Sequence, residues 1–260
     1  MKRTAFTLLE LLVVIAVTAL LLAILTPALQ NSKRHAKALL CGSNVKQLHL
    51  GLTIYENENN VFPHSFNQSL SSLLIGDPSY QGVGLWWFNY ITDYSEIKDN
   101  EDSILWCPSR QIDYPRFKTN VLIGNYGVNQ SICKCSYVRT NQSEFVGKPL
   151  SSSEIQNPSQ TLLLVDSGYG MINWWNVADE PPVTFGSMIE DNAYIPGLSI
   201  NRNKILRPGR EEDGIYGRHP NKTVNVGFVD GHISRENAES LLVEKTEDGY
   251  KNCKPLWKPN

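Results

Sequence analysis

The chain has 260 residues, 41% hydrophobic and 10% aromatic, with 18 Gly and 14 Pro, which excludes a small disulfide knot, a coiled coil and global disorder. Its 24 Lys and Arg against 26 Asp and Glu give a net charge of −2, so no whole-chain field exists to hold nucleic acid, and no nucleic-acid partner is expected. The mean hydropathy of −0.28 hides an uneven distribution, because the apolar residues crowd the N-terminus.

From Phe6 to Leu29 the sequence reads FTLLELLVVIAVTALLLAILTPAL, with Glu10 its only charge. A helix over these positions rises roughly 36 Å, enough to cross a hydrocarbon core of about 30 Å with some tilt. Lys2 and Arg3 precede the run and Lys33, Arg34 and Lys37 follow it, so flanking charge does not orient it. Three readings compete. A secretory signal peptide has an apolar region of about 7–15 residues and lacks acid. A plain anchor tolerates Pro27 but gives no reason for Glu10, since a charge inside the membrane costs about 2.5–3.5 kcal/mol or more. The third reading is a functional intramembrane acid that meets a partner.

The run KRTA followed by FTLLELLVVIAVTALLLAILTPAL resembles the leader and first helix of type IV prepilins and type II secretion pseudopilins. The resemblance implies that a prepilin peptidase/methyltransferase cuts between Ala5 and Phe6 and methylates the new amine. It implies that Glu10 pairs with the N-terminal amine of a neighbouring protomer, and Pro27 stands where the family's helix carries a proline. A buried carboxylate and a buried ammonium each cost several kcal/mol alone and offset one another when paired. The residue before the cut is nearly always Gly in the family and is Ala5 here. The implied location is the inner membrane, single-pass, with the N-terminus cytoplasmic and the head periplasmic, or extruded in a filament. The implied partners are other pilin-like subunits.

Beyond the membrane run, Ala38, Cys41, Val45, Leu48, Leu52 and Tyr55 recur at steps of three and four, the period of one helix face, which predicts a helix to about Glu58. Gly42 and Gly51 weaken it locally by about 1 kcal/mol each relative to Ala. Asn57 to Asn60, followed by Phe62 and Pro63, form a stop. The stretch CGSNVKQLHLGLTIYENENNVFP also resembles a large pseudopilin-like subfamily, as do WCPS at 106–109, NYGVN at 125–129 and NPSQTLLLVDSG at 157–168. RHPNKTVNVGFVDGH resembles the prepilin-type processing-associated C-terminal domain, in which His is followed by nine residues and Asp-Gly. Here ten residues separate His219 from Asp230 and Gly231.

Thr161 to Val165 reads as a buried strand closed by the turn residues Asp166, Ser167 and Gly168. Val224, Val226 and Phe228 alternate with Asn225 and Gly227, a half-buried strand with one core face. Asp230-Gly231 is read as a two-residue type I′ turn, with His232 to Arg235 returning as the partner strand. Residues 120–129 hold a further strand candidate. The expected fold is α+β and pilin-like: leader 1–5, transmembrane and assembly helix 6–30, helix continuation 31–60, and head 61–260 with a small antiparallel sheet.

His219, Asp230 and His232 could ligate a metal, but their spacing is not a strong ligand pattern and a structural hairpin motif is the preferred reading. No cofactor or metal is therefore expected. Calcium is the alternative, with Glu211, Glu212 and Asp213 as candidate oxygens, although such a run is more often a solvated loop. The five cysteines are Cys41, Cys107, Cys133, Cys135 and Cys253; in a head outside the cytoplasm they favour disulfides, with Cys107 to Cys133 or Cys135 the candidate bridge. No GxSxG, P-loop, HExxH or Rossmann fingerprint occurs, so no enzyme is expected.

The reading is thus a pseudopilin-like structural subunit of a type II secretion pseudopilus or type IV pilus-like filament. One alternative is a membrane-tethered module holding a glycan or protein on the aromatic pairs Trp86-Trp87 and Trp174-Trp175, although core packing is the commoner use of such residues. Another is an anchored hydrolase using Asp166, His219, Asp230 or His232, which requires those side chains to converge in a pocket.

Overall fold

The computed structural model describes residues 7–68, 84–91, 103–112, 114–117, 120–136, 143–182, 193–251 and 255–259. Its first element is one helix, α1 (Leu8–Asn59), 52 residues long. Thr7 starts it: its hydroxyl accepts from the Glu10 amide while the Glu10 carboxylate accepts from the Thr7 amide, so two otherwise orphaned donors are satisfied. Asn60 ends it in the left-handed region at φ 59°, its N–H donating to the Glu56 carbonyl at 2.7 Å. Pro27 sits inside and lacks the N–H that would reach the carbonyl of Ala23.

The helix has two lives. Every side chain from Thr7 to Lys37 is exposed, and packing begins at Ala38. From there Ala38, Cys41, Val45, Leu48, His49 and Leu52 are buried, the stripe expected from the period, with Tyr55 half-buried.

The head is built on a five-stranded sheet in the order β5-β3-β4-β6-β7, comprising β3 (Tyr126–Asn129), β4 (Leu162–Asp166), β5 (Met171–Ile172), β6 (Thr223–Phe228) and β7 (Ile233–Asn237). All neighbours are antiparallel except the short edge pair β3 and β5. Two small antiparallel ribbons flank it, β1 (Phe66–Asn67) with β2 (Leu85–Trp86), and β8 (Glu244–Thr246) with β9 (Gly249–Lys251). The architecture is α+β, a long N-terminal helix followed by a head with small, mainly antiparallel sheets.

Helix α1 lies across β4, β6 and β7. Cys41, Val45, Leu48 and Leu52 pack there with Tyr126, Val128, Leu163 and Leu164. The opposite face of the sheet carries a second core, in which Leu162, Val165, Val224, Val226 and Phe228 meet Phe145, Trp174, Trp175, Val177 and Trp257. Strand β6 is therefore buried on both faces rather than one: the alternate positions Asn225 and Gly227 face α1, not solvent. Its small residues are what let the helix approach. A Cβ at Gly227 would stand 2.9 Å from Cδ2 of His49, and one at Gly42 would stand 3.1 Å from Oδ1 of Asn225.

The β6-β7 connection also departs from expectation. Phe228 N–H donates to the His232 carbonyl and Gly231 N–H to the Phe228 carbonyl, so Val229, Asp230 and Gly231 form a three-residue loop. Only Gly231 has positive φ, at 97°, whereas a type I′ turn needs it at both central positions. Gly227→Val is expected to lift α1 from the sheet and to destabilise the full chain by about 1–3 kcal/mol. The check is a lowered midpoint in chemical denaturation of the detergent-solubilised protein.

Candidate functional site

Two regions carry function-bearing residues. In the first, residues 7–30 form a fully exposed apolar helix in which Glu10 is turned back on its own cap, its carboxylate accepting from the Thr7 amide and hydroxyl at 2.8 Å each. Ala5 and Phe6 lie outside the described residues. Among the described residues, no side chain of the head covers the surface between Leu8 and Leu29, so its apolar atoms need lipid or other helices.

The second region is buried where α1 meets the sheet, and four elements each supply one side chain. Cys41 comes from the α1 stripe, and Asp166 from the last position of β4. Cys107 is held by a loop whose Trp106 carbonyl accepts from Asn44 Nδ2 of α1 at 3.0 Å, and its own amide donates to Asn125 Oδ1 at 2.9 Å. His219 stands immediately before the Pro220 turn that opens β6. Cys41 Sγ donates to Asp166 Oδ1 at 3.0 Å, His219 Nε2 meets Asp166 Oδ2 at 3.1 Å, and the two sulfurs lie 3.4 Å apart. Cys107 Sγ is 4.0 Å from His219 Nε2. Asn225 directs its backbone N–H (2.6 Å) and Nδ2 (3.1 Å) onto Asp166 Oδ2.

All four residues are buried, and their electrostatics are mutually set. Burial alone would raise the Asp166 carboxyl, but His219, Arg218 and the Asn225 amide hold it down to about 2. Burial would lower His219, yet the facing carboxylate and Cys107 push it up to about 9. Burial, the contact with Cys107 and the charge of Asp166 drive the Cys41 thiol up. Burial acts in the same sense on Cys107, but hydrogen bonds with Cys41 and His219 and the charge of Arg218 bring it down.

Arg218 forms the wall behind this cluster. Its guanidinium pairs with Asp213 at 2.9 Å (Nε) and 2.6 Å (Nη2), and donates to the carbonyls of Gly124, Asn125 and Ser167. Asp213 is thus committed to Arg218 and to the Tyr194 hydroxyl. Glu211 and Glu212 are exposed on the short helix Glu211–Tyr216, so the three acids expected to offer calcium oxygens do not converge.

This geometry revises some sequence expectations and decides between the alternatives left by others. Asp166 is a buried acceptor at a strand end rather than a turn former. His219 joins it, whereas Asp230 and His232 pair with each other at 2.6 Å in a half-exposed contact elsewhere, because the hairpin turns them outward. The metal alternative at His219, Asp230 and His232 is not one site, and, as expected, those side chains do not all converge with Asp166 in a hydrolase constellation. Cys107 lies against Cys41 rather than Cys133 or Cys135; Cys253 is outside the described residues. Trp87, Trp174 and Trp175 are buried, and half-buried Trp86 packs on Phe66 and Tyr169, so the aromatic pairs form core rather than a binding face. Sequence reasoning missed Cys41 and Asn225 as site residues; the signals were a polarisable residue on an apolar stripe and an amide in an otherwise apolar strand.

Residues 1–26 match the model of the prokaryotic N-terminal methylation motif. No curated protein and no solved structure matches the chain. The motif and the exposed apolar helix behind it make this a type IV prepilin- or pseudopilin-like protein, with one helix among the described residues long and apolar enough to cross a membrane.

Two outcomes test the buried network. Asp213→Asn leaves the Arg218 guanidinium without its counter-charge and is expected to cost about 3–5 kcal/mol in equilibrium unfolding of the full chain. In ion-free protein His219 titrates near 9 folded against 6.5 unfolded, so its stabilisation is complete below pH 6.5 and is lost as pH rises to about 9. The Asp166 share is present above pH 3.8 and is lost as pH falls towards 2. Cys107, brought down to about 6 from 9.0, contributes with the opposite sign over the same interval, so the two offset, and unfolding of chelator-treated protein should show an acid limb between pH 3.8 and 2 with little slope between pH 6.5 and 9.

Proposed function

We propose that this chain is a structural subunit of a type IV pilus-like filament or type II secretion pseudopilus. The observation that carries the reading is the exposed apolar helix from Leu8 to Leu29, with a lone carboxylate at Glu10, behind a methylation motif. In this reading a prepilin peptidase removes residues 1–5 and methylates Phe6. The helix is stored in the inner membrane with its N-terminus cytoplasmic, and the head stands outside the cytoplasm. Assembly transfers the apolar surface from lipid to neighbouring helices, a change driven by van der Waals packing.

Glu10 sets the register in that packing. Before assembly its carboxylate is satisfied by Thr7. In the filament it exchanges that cap for the N-terminal ammonium of another subunit, because two buried opposite charges offset costs that neither meets alone. The protein performs no chemistry of its own; its work is mechanical.

Two measurements test the proposal. Intact-mass analysis of protein from native membranes should give a chain beginning at methylated Phe6, and a chain beginning at Met1 would refute processing. Glu10→Ala should leave membrane insertion intact, since it makes the helix more apolar, and should reduce incorporation into sheared filaments at least tenfold. Normal incorporation would remove Glu10 from the mechanism.

A further inference from the structure

Among the described residues, the side chains of Cys41, Cys107, Asp166 and His219 place one ligand atom each within 4.8 Å of one another, all buried. We infer that these four residues are a structural site for one divalent transition-metal ion of the zinc type, fastening helix α1 to the sheet. The inference does not depend on the pilin-like reading.

The donor set selects the ion. Two thiols, one imidazole nitrogen and one carboxylate oxygen suit a borderline-soft tetrahedral cation and not calcium or magnesium, which take oxygens in larger number. The spacing fits as well. With bonds of about 2.3 Å to sulfur and 2.0–2.1 Å to nitrogen and oxygen, the edges of a tetrahedron run about 3.3–3.8 Å. The sulfurs stand 3.4 Å apart, Cys107 Sγ is 4.0 Å from His219 Nε2, His219 Nε2 is 3.1 Å from Asp166 Oδ2, and all four ligand atoms lie within 4.8 Å of one another. A sulfur separation of 3.4 Å is well beyond the bond length of a disulfide, about 2.05 Å.

The surroundings are those of a closed site. No ligand is exposed, which marks structural rather than catalytic coordination, where one position stays open. Asn225 donates twice to Asp166 Oδ2, fixing the carboxylate, and the Asn125 side chain holds the Cys107 amide. Two thiolates and a carboxylate around a dication leave one net negative charge, which the nearby Arg218 guanidinium, already paired with Asp213, offsets only in part. Binding forms two metal–sulfur bonds and one each to nitrogen and oxygen. It releases the thiol protons and any imidazole proton to solvent, and changes no oxidation state.

The experiment uses the full chain, purified in detergent under thiol-reducing conditions without chelator, then dialysed and loaded with zinc or cobalt. The expected result is one ion per chain. X-ray absorption of the zinc form should show two sulfur and two nitrogen or oxygen neighbours, and the cobalt form should show thiolate charge-transfer bands with tetrahedral ligand-field bands. Cys41→Ser with Cys107→Ser should abolish loading, and Asn225→Ala, which spares every ligand, should weaken it about 10–100-fold. Should the double variant fail to fold, the wild-type absorption spectrum still decides. No bound ion, a shell without two sulfurs, unchanged loading in a folded double variant, or a Cys41–Cys107 disulfide in protein from the native envelope would each overturn the assignment.

Discussion

Everything in the head depends on how closely α1 can lie on the sheet. The side chains from Leu8 to Lys37 are exposed, so the part of the helix from Ala38 onward supplies the attachment. Close approach relies on Gly227 on β6, where a side chain would force His49 to shift, and is eased by Gly42 on the helix, where a Cβ would press on Asn225. Once that distance is set, Cys41 reaches Asp166 and His49 reaches the Phe228 carbonyl, and the apolar stripe closes over Leu163 and Leu164. Polar and apolar contacts are therefore satisfied by one geometry, and a fraction of an ångström of separation would loosen both.

Much of this was legible from residue patterns. The apolar N-terminal run and the three-and-four stripe dictated a single long helix, and alternation in β6 with the apolar run of β4 located two central strands. The turn at Asp230 was found but its geometry was not, since Asp-Gly serves more than one loop length and only the hydrogen-bond partners of Phe228 distinguish them. The placement of the Trp174-Trp175 pair was not readable, because consecutive aromatics have no period. Its burial comes from a short helical turn that tucks both rings under the sheet.

The buried cluster could not be read in advance for a different reason. Its members stand at 41, 107, 166 and 219, with no short spacing to betray them. Each also had a satisfactory local explanation: a small residue on a stripe, a loop cysteine, a turn acid and a histidine before proline. Only tertiary structure brings the four together, and the feature common to them is position next to an element boundary or on the helix face that the sheet covers. Local reasoning assigns residues one at a time, whereas such a cluster exists only as a set.

Pro27 has a consequence in a different dimension. It lies 32 residues before Asn59, so about 48 Å of helix extends beyond the one interior position lacking a backbone donor. A bend of about 10° there sweeps the far end sideways by about 8 Å, most of a helix diameter. The head, clamped rigidly from Ala38 onward, travels with it as a boom on a hinge. A modest angular change at membrane depth is thus geared into a large displacement at the surface, with no rearrangement inside the head itself.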